Sequence, residues 1–482
     1  MKILWLDIDS LRPDHLGCYG YHRNTSPVID SLAAEGMRYD AVFASDAPCL
    51  PSRTAWQMGR PGIQTGVINH GGCYADPFRT SIGREFNEHP DYRKFIQVLR
   101  AAGYRTASVS TFAERHAAWW FHAGFGEVHD VGKQGLERAE EVIPAASRFI
   151  QDHGTEDDWF LHVNLWDPHT PYRTPDSYGD PFKHEEAPAW PDAETIRLHQ
   201  DGYGPHSATA VLSDPGVSIP TPRELSKITS REDFRHWING YDTGIRYADD
   251  HVGQLLQVLS DINILDETVI IISADHGECQ GEFNIYGDHQ VADISTCRLP
   301  WIIRGPGFEK GLNTALHYHY DMTAGILSHL GISIPAGWDS IPTDFSSGDK
   351  GRSSLVISQA AWSCQRSVLF DDYILMKTYH SGLKDLPQTA LFNWRKDPHQ
   401  TCDLSNTDTS LVCKAHALLD TWIDNQLSRS PNGEDPMRGV IKEGGPYHTR
   451  GKLKEYISYY QDSGRPDLAL KMQTNHQFDP GV

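Results

Sequence analysis

Short apolar segments that alternate with segments of helical apolar spacing constrain the fold of this chain more than any other feature. Strand-like apolar segments occupy residues 3–9, 104–110, 159–165, 268–273 and 299–304. Around and between them, apolar side chains recur at helical spacing in residues 27–36, 95–102 and 245–259. Strands that alternate with helices are typical of a parallel sheet with helices on both faces. The sequence therefore predicts an α/β fold with a large, mostly parallel sheet sandwiched by helices.

The patterning changes along the 482 residues and predicts three regions. Residues 1–345 carry the alternating pattern, but residues 170–231 within them are rich in Pro, Asp, His and Gly and lack clear periodicity. Such a long irregular stretch is typical of a functional insertion, here a lid over a substrate site. Residues 346–428 show short strands, tight turns and then a helix, which predicts a smaller C-terminal α+β domain. Residues 429–482 read as a tail rich in Pro, Gly and charge around one short helical stretch.

The charge and the cysteines exclude several classes of protein. The chain has 43 Lys and Arg against 64 Asp and Glu, a formal net charge of −21, which argues against partners such as nucleic acid or an anionic membrane. No apolar run approaches the roughly 20 residues of a membrane span. The eight cysteines include no C-x-x-C pair, which argues against a zinc ribbon or a disulfide framework. Asp7 and Asp9 interrupt the first apolar stretch too early for a secretory signal, so we expect a cytoplasmic protein.

Two strand ends carry residues that can ligate a metal ion. Asp9 ends the first strand-like segment, and Asp275 and His276 closely follow the segment at 268–273. Ligands of doubly wound sheets bind beyond the carboxyl ends of the strands, so these side chains are expected to face one crevice. Two carboxylates and an imidazole can hold one divalent cation. The plainer alternative is that Asp9 only caps the turn into Ser10.

The segment Cys49-Leu50-Pro51-Ser52-Arg53 is the most specific local feature. Pro51 suits the first turn of a helix, where its missing N–H has no cost, and the following residues can continue that helix. Cys49 would then lie at the helix N-terminus, where the free N–H groups and the helix dipole favour an anion. The pattern indicates a thiol nucleophile with a lowered pKa. The alternative is a buried structural cysteine, a common fate of free cysteines.

Cys49-x-Pro51-Ser52-Arg53, followed by Met58-Gly59-Arg60, resembles the signature of the type I sulfatases of the alkaline phosphatase superfamily. The resemblance covers most of residues 1–400 and preserves the order of the family's elements. These elements are Asp9, Gly103-Tyr104-Arg105-Thr106-Ala107, Asp167-Pro168-His169-Thr170-Pro171-Tyr172, Tyr241 with Asp249 and Val252-Gly253, and the segment around Asp275. The resemblance implies an alkaline phosphatase-like fold with residues 1–345 as the catalytic domain.

The resemblance also implies a cofactor set and roles for individual residues. Cys49 would be converted by a maturase into formylglycine (3-oxoalanine), whose hydrated aldehyde attacks sulfur. Asp9, Asp275, His276 and residue 49 would ligate a divalent metal, with Ca²⁺ as the expected ion and Mn²⁺ or Mg²⁺ as alternatives. Arg53 would hold and polarise the hydrated aldehyde, and His169 would protonate the leaving alcohol. The predicted catalytic residues are therefore Cys49, Arg53, His169 and Asp275.

The chain departs from the family pattern in the pocket for the sulfate. The Lys and His that many members carry after the Gly-Tyr strand are missing from residues 110–113. Arg115 and His116 are the predicted replacements, because a guanidinium can hold two oxygens of one anion. His289 stands where many members carry another Lys, and His70 lies where the substrate can be reached. The predicted substrate-binding residues are therefore Arg115, His116, His289 and His70.

The leading prediction is a sulfuric-ester hydrolase that acts on a small-molecule or oligosaccharide sulfate ester. The His, Asp and Trp content of residues 170–231 favours a carbohydrate. A phosphonate monoester hydrolase or phosphodiesterase with the same nucleophile and metal is the alternative enzyme, because Asp275-His276 fits it equally well. A third alternative is a catalytically silent anion-binding protein that keeps Cys49 unmodified. The sequence leaves open whether the chain forms a homo-oligomer.

Overall fold

A nine-stranded sheet forms the centre of the structure. The structure is a computed structural model and describes residues 1–81, 89–211, 221–430, 433–477 and 479. From edge to edge its strands are Gly311–Asn313, Met37–Phe43, Arg298–Arg304, Thr268–Ser273, Lys2–Ile8, Trp159–Leu165, Arg105–Val109 and Glu127–His129, and His317–Tyr318 also pairs with Met37–Phe43. The neighbouring pairs are parallel except the two made by Arg298–Arg304. The predicted large, mostly parallel sheet is confirmed.

Both faces of this sheet are buried. Alternate side chains of a strand point to opposite faces, so Leu4 and Leu6 join one apolar core while Ile3 and Trp5 join another. Strands buried on both faces are apolar throughout, which is why they stand out in the sequence. The helices on the first face are Pro27–Glu35, Ala139–His153 and Arg231–Asp261, and those on the second are Cys49–Met58, Phe95–Ala101 and His319–His329.

The helix predicted over residues 245–259 is longer and spans Arg231–Asp261. Buried polar residues interrupt the apolar spacing of its first half. One of them, Asp242, accepts a hydrogen bond from Arg23 and pairs with His15, both at 2.8 Å. Gly244 of this helix lies against the next loop, since a Cβ there would be 2.6 Å from the Asp167 carbonyl oxygen. The helix therefore positions the loop that follows strand Trp159–Leu165.

A separate five-stranded sheet forms most of the smaller C-terminal region, which confirms the predicted α+β domain. Its antiparallel strands are Ser354–Gln359, Cys364–Phe370, Tyr373–His380 and Thr389–Asn393, and helix Thr409–Arg429 packs on one face. The fifth strand is the short segment Asp46–Ala47, which pairs in parallel with Ser358 and Gln359. Because this segment immediately precedes residues 48–49, the smaller sheet helps to position Cys49.

The insertion and the C-terminal segment both pack onto the body of the protein. Residues 170–231 contain the α-helix Ala193–His199, and residues 212–220 of this insertion lie outside the described residues. The described residues of 429–482 form three helices where the sequence predicts one short stretch: Pro436–Lys442, Leu453–Asp462 and Pro466–His476. Residues 431–432, 478 and 480–482 of the predicted tail also lie outside the described part. The last two helices bury Tyr456, Tyr460 and Leu468 against Tyr203 of the insertion and Leu383 of the smaller domain.

Three short α-helices and one strand pair remain among the α-helices and paired strands of the described residues. They are helices Gly62–Thr65, Phe112–His116 and Ile294–Cys297, and the two-stranded pair Cys279–Gln280 and Tyr286–Asp288. Within the described ranges, no helix is both long enough and apolar enough to cross a membrane.

Candidate active site

Four side chains with metal-ligating atoms meet at one edge of the large sheet. Asp9 follows strand Lys2–Ile8, Asp275 and His276 come after strand Thr268–Ser273, and Cys49 begins helix Cys49–Met58. Their ligand atoms all lie within 4.8 Å of one another, and all four residues are buried. Cys49 Sγ lies 3.1 Å from His276 Nε2, which lies 3.3 Å from an Asp275 carboxylate oxygen. The fold thus places the four predicted metal ligands in one cluster.

A single arginine contacts three buried carboxylates, two of which belong to this cluster. Arg53 lies one helical turn after Cys49, and its guanidinium donates hydrogen bonds to Asp7 (2.8 Å), Asp9 (3.0 Å) and Asp275 (2.7 Å). Its Nη2 atom is buried and has no hydrogen-bond partner among the described residues. Three carboxylates carry more negative charge than one arginine balances, and an unbalanced buried charge costs free energy. A divalent cation fits both the oxygen-rich donor set and the excess of negative charge.

The two carboxylates of the cluster differ in acidity. Burial raises the pKa of Asp275 to about 7, with Asp9 adding to the shift and Arg53 opposing it. Burial acts in the same direction on Asp9, but Arg53, His169 and His276 outweigh it and hold the pKa of Asp9 below its ordinary value. Neighbouring carboxylates resist joint ionisation unless a cation lies nearby. A metal ion in the cluster would therefore keep Asp275 deprotonated.

Burial raises the pKa of the Cys49 thiol, with Asp9 and Asp275 adding to the shift, so the predicted lowered pKa is wrong. Cys49 also lies on the wall of a cavity of about 500 Å³. The predicted general acid and the four predicted binding residues line the same cavity: His70, Arg115, His116, His169 and His289. Two acidic side chains also line it. Asp288 pairs with His206 at 2.8 Å, and burial raises the pKa of Glu224 to about 7. In a chain with a net charge of −21, this wall of arginine and histidine is locally suited to an anion.

His169 is positioned by the backbone beside it. Its Nδ1 donates to the carbonyl oxygen of Thr170, which leaves Nε2 as the nitrogen able to exchange a proton in the cavity. Burial lowers the pKa of His169 to about 3, with Arg115 and Arg173 adding to the shift and Asp9 opposing it. The imidazole is therefore neutral at ordinary pH, and an anion that enters the cavity would raise its pKa.

The predicted binding residues form one wall of the cavity. The Arg115 guanidinium lies 5.1 Å from the centre of the Trp166 ring, a cation–π geometry. The rings of His70 and His116 are 4.8 Å apart, and Nε2 of each is buried with no hydrogen-bond partner in the described chain. The ring of His289 lies 4.1 Å from that of the histidine in the metal-ligating cluster. Unpartnered buried nitrogens on this wall indicate a ligand that would satisfy them.

A family model described as Sulfatase matches residues 2–332, more than half of the chain. The chain belongs to the sulfatase family. Iduronate 2-sulfatase of Mus musculus is 26% identical to it over 351 residues, which cover 64% of this chain and 60% of that protein. Choline-sulfatase of Rhizobium meliloti (strain 1021) is 25% identical over 351 residues, which cover 64% of this chain and 63% of that protein. The matched region therefore spans less than two thirds of the length of these sulfatases.

Solved structures show that the fold is the alkaline phosphatase-like fold of the sulfatases. One of them, a protein in complex with its substrate D-glucosamine-2-N,6-O-disulfate, has a TM-score of 0.69 and 16% identity, and the match covers 90% of this chain and 99% of that chain. A phosphonate monoester hydrolase from Silicibacter pomeroyi has a TM-score of 0.66 and 16% identity, with 92% and 98% covered. At such identities the likeness concerns the fold alone.

The outer part of the cavity lies beyond the region matched by the sulfatase family and was not predicted from the sequence. Trp362 and His448 both line it and stack with ring centroids 4.4 Å apart, and Tyr447 and Lys452 line it as well. His448 Nε2 lies 2.9 Å from His70 Nδ1, so this wall continues the predicted one. The sequence gives only a weak local signal for this part of the cavity. Residues 444–448 read Gly-Gly-Pro-Tyr-His, which predicts a loop with ring side chains but not what that loop contacts.

Proposed function

We propose that this chain hydrolyses sulfate esters, with a formylglycine made from Cys49 by a maturase as the nucleophile. The supporting observation is that Cys49 belongs both to a buried carboxylate–imidazole cluster and to a cavity walled by arginine and histidine. The anionic ester would bind to this wall with its sulfur beside residue 49. Residues 1–345 would be the catalytic domain, and residues 170–231, which contribute Thr170, His206 and Glu224 to the cavity, would act as its lid.

The metal would be held by Asp9, Asp275, His276 and residue 49, and Ca²⁺ suits the carboxylate oxygens best among the expected ions. When bound, such a cation stabilises anionic oxygens and lowers the pKa of a ligating hydroxyl. The hydrated aldehyde supplies one hydroxyl to attack sulfur and a second whose proton loss allows sulfate to leave, a route that the thiol of Cys49 lacks.

The remaining roles follow from the geometry of the side chains. The unpartnered Nη2 of Arg53 would orient residue 49, because that guanidinium is held on its other side by three carboxylates. Once a bound anionic ester raises the pKa of His169 and the ring is protonated, Nε2 would carry the proton that passes to the leaving alcohol oxygen. The sulfate oxygens would be bound by Arg115, His70, His116 and His289.

A sulfated carbohydrate is the substrate class that we propose. The cavity of about 500 Å³ is in the range of pockets for drug-sized ligands, so it has room for more than a sulfate group. Trp362 and His448, which stack on each other, both line the cavity and offer aromatic surface against which a sugar can pack. One protein of similar fold has a sulfated glucosamine as its substrate, which also supports this class. All eight cysteines are free, which fits the cytoplasmic location that we propose.

A phosphonate monoester hydrolase is the second candidate, favoured by its similar fold. A paired assay decides between the two: kcat/KM is measured for an aryl sulfate and an aryl phosphonate monoester with the same leaving group. The protein must first be shown by mass spectrometry of the Cys49 peptide to carry formylglycine. We expect the sulfate to be preferred by at least about tenfold, which corresponds to about 1.4 kcal/mol in the barrier. A phosphonate preference of that size would favour the second candidate, and a Cys49 peptide found unmodified in protein from the native host would favour an anion-binding protein.

Removal of divalent metal should abolish turnover, and re-addition of Ca²⁺ should restore it. The apparent affinity for the ion should also depend on pH, because metal ligands must be deprotonated. With a pKa of about 7, Asp275 is protonated below this pH in metal-free protein, so the affinity should fall about tenfold per pH unit as the pH drops. Calorimetric titration with Ca²⁺ from alkaline to acidic pH measures this slope, and Asp275→Asn should remove it. Full activity after exhaustive chelation would count against the metal site.

A further inference from the structure

A second set of metal-ligating atoms overlaps the first at Cys49. Cys49, His276 and His289 are all buried, and one ligand atom of each lies within 4.8 Å of the others. The first set is dominated by carboxylates, whereas this one has a sulfur and two imidazoles. His289 belongs only to the second set, and Asp9 and Asp275 belong only to the first.

Each imidazole of this set has one ring nitrogen near a polar neighbour, and His276 is hydrogen-bonded as metal-binding histidines commonly are. His276 donates from Nδ1 to the Gly277 carbonyl oxygen at 2.8 Å, while its Nε2 lies 3.1 Å from Cys49 Sγ. His289 Nε2 lies 3.4 Å from an Asp288 carboxylate oxygen, while its Nδ1 is buried and has no hydrogen-bond partner within the described chain. A carbonyl partner such as that of His276 orients a histidine ligand and makes it more basic.

We propose that the unmodified chain binds a borderline-soft divalent cation of the Zn²⁺ class through Cys49, His276 and His289. Thiolate and imidazole are the ligands that Zn²⁺ prefers, and three protein ligands leave a fourth position for water. Binding replaces the thiol proton of Cys49 with the metal ion and releases that proton to solvent. Because His276 and residue 49 also belong to the carboxylate-rich set, the two sites exclude each other.

Conversion of Cys49 to formylglycine removes the sulfur and therefore dismantles this second site. The modification thus changes the metal preference of the cluster from soft to hard ions, in addition to making a nucleophile. The zinc site concerns the unmodified chain and stands independently of whether the modified chain hydrolyses sulfate esters.

Titration of metal-free, unmodified protein with Co²⁺ tests the site directly, after mass spectrometry has shown that Cys49 is intact. We expect one equivalent of Co²⁺ to produce a thiolate-to-cobalt charge-transfer absorption together with the visible bands of a four-coordinate site, and Zn²⁺ to abolish both. Cys49→Ser and His289→Ala should each weaken Co²⁺ binding at least tenfold, and Cys49→Ser should also lose the charge-transfer absorption. His70→Ala is the matched control, because it removes a histidine of the same cavity that lies outside the donor set, and it should leave the spectrum unchanged.

A folded, unmodified protein that shows no charge-transfer absorption would overturn the proposal, as would an unchanged affinity in His289→Ala. If that variant does not fold, alkylation of Cys49 in the unaltered sequence decides instead. Zn²⁺ should slow alkylation at least tenfold, and equal rates with and without Zn²⁺ would overturn the proposal. Protein that carries formylglycine should lack the charge-transfer absorption. An outcome with the absorption present but no sulfate-ester turnover after modification would refute the proposed hydrolase alone.

Discussion

Replacing Cys49 with alanine is expected to lower turnover by several orders of magnitude while the chain still folds. Covalent catalysis depends on the nucleophile at residue 49, so the substitution removes the whole covalent route and not merely one contact. The side chain is small, and the substitution should lower the free energy of unfolding by about 1 kcal/mol, as an ordinary buried substitution does. Steady-state kinetics on an aryl sulfate, with thermal unfolding of both proteins, measures the two effects separately.

Cys364→Ala provides the matched control for this prediction. Cys364 is as fully buried as Cys49, at 0% and 1% exposure, but it lies in a strand of the smaller sheet and packs with Ile68 and Val440. We expect a similar loss of stability and little change in rate. A Cys49→Ala protein that keeps more than about a tenth of the wild-type rate would contradict nucleophilic catalysis at this position, since a tenfold loss is only about 1.4 kcal/mol of barrier.

Replacing His169 with alanine should slow the hydrolysis of alkyl sulfates far more than that of activated aryl sulfates. A sugar alkoxide leaves poorly without a proton, whereas a nitrophenolate needs little help. General acid catalysis typically contributes roughly 10²–10⁴-fold, so we expect a loss of that size on the alkyl ester and a much smaller one on the aryl ester. The free Nε2 of His169 and its place on the cavity wall motivate the assignment.

His116 and His289 are the rival acids, and the same pair of substrates separates the roles. A residue that only binds sulfate should slow both esters by a similar factor, because both carry the same sulfate group. Alanine variants of all three histidines, measured on both esters, therefore distinguish the acid from the binding residues. Equal losses for His169→Ala, with leaving-group dependence in His289→Ala instead, would exchange the two assignments.

The central sheet and the metal-ligating cluster could be predicted from the sequence because both depend on local patterns. Strands Lys2–Ile8 and Thr268–Ser273 are buried on both faces, so their apolar character is continuous and conspicuous. Asp9 and Asp275 then follow at the strand ends, where doubly wound sheets bind ligands. Helix Cys49–Met58 begins at the residue that the Cys-x-Pro-Ser-Arg segment indicates. The first half of helix Arg231–Asp261 could not be found in this way, because buried polar residues break its apolar spacing.

Only the tertiary structure decided the outer wall of the cavity and the charge balance of the cluster. Tyr447 and His448 reach the cavity beside helices that bury Tyr456 and Tyr460 against Tyr203 and Leu383, which are contacts between segments far apart in the chain. No local pattern encodes such pairings, since their free energy depends on surfaces that the fold brings together. The raised pKa of Asp275 likewise results from burial, with one shared arginine opposing it, and neither condition exists before the strands and the helix have packed. The sequence by itself thus determined which groups can perform the chemistry, and the packing determined their protonation and the shape of the space in front of them.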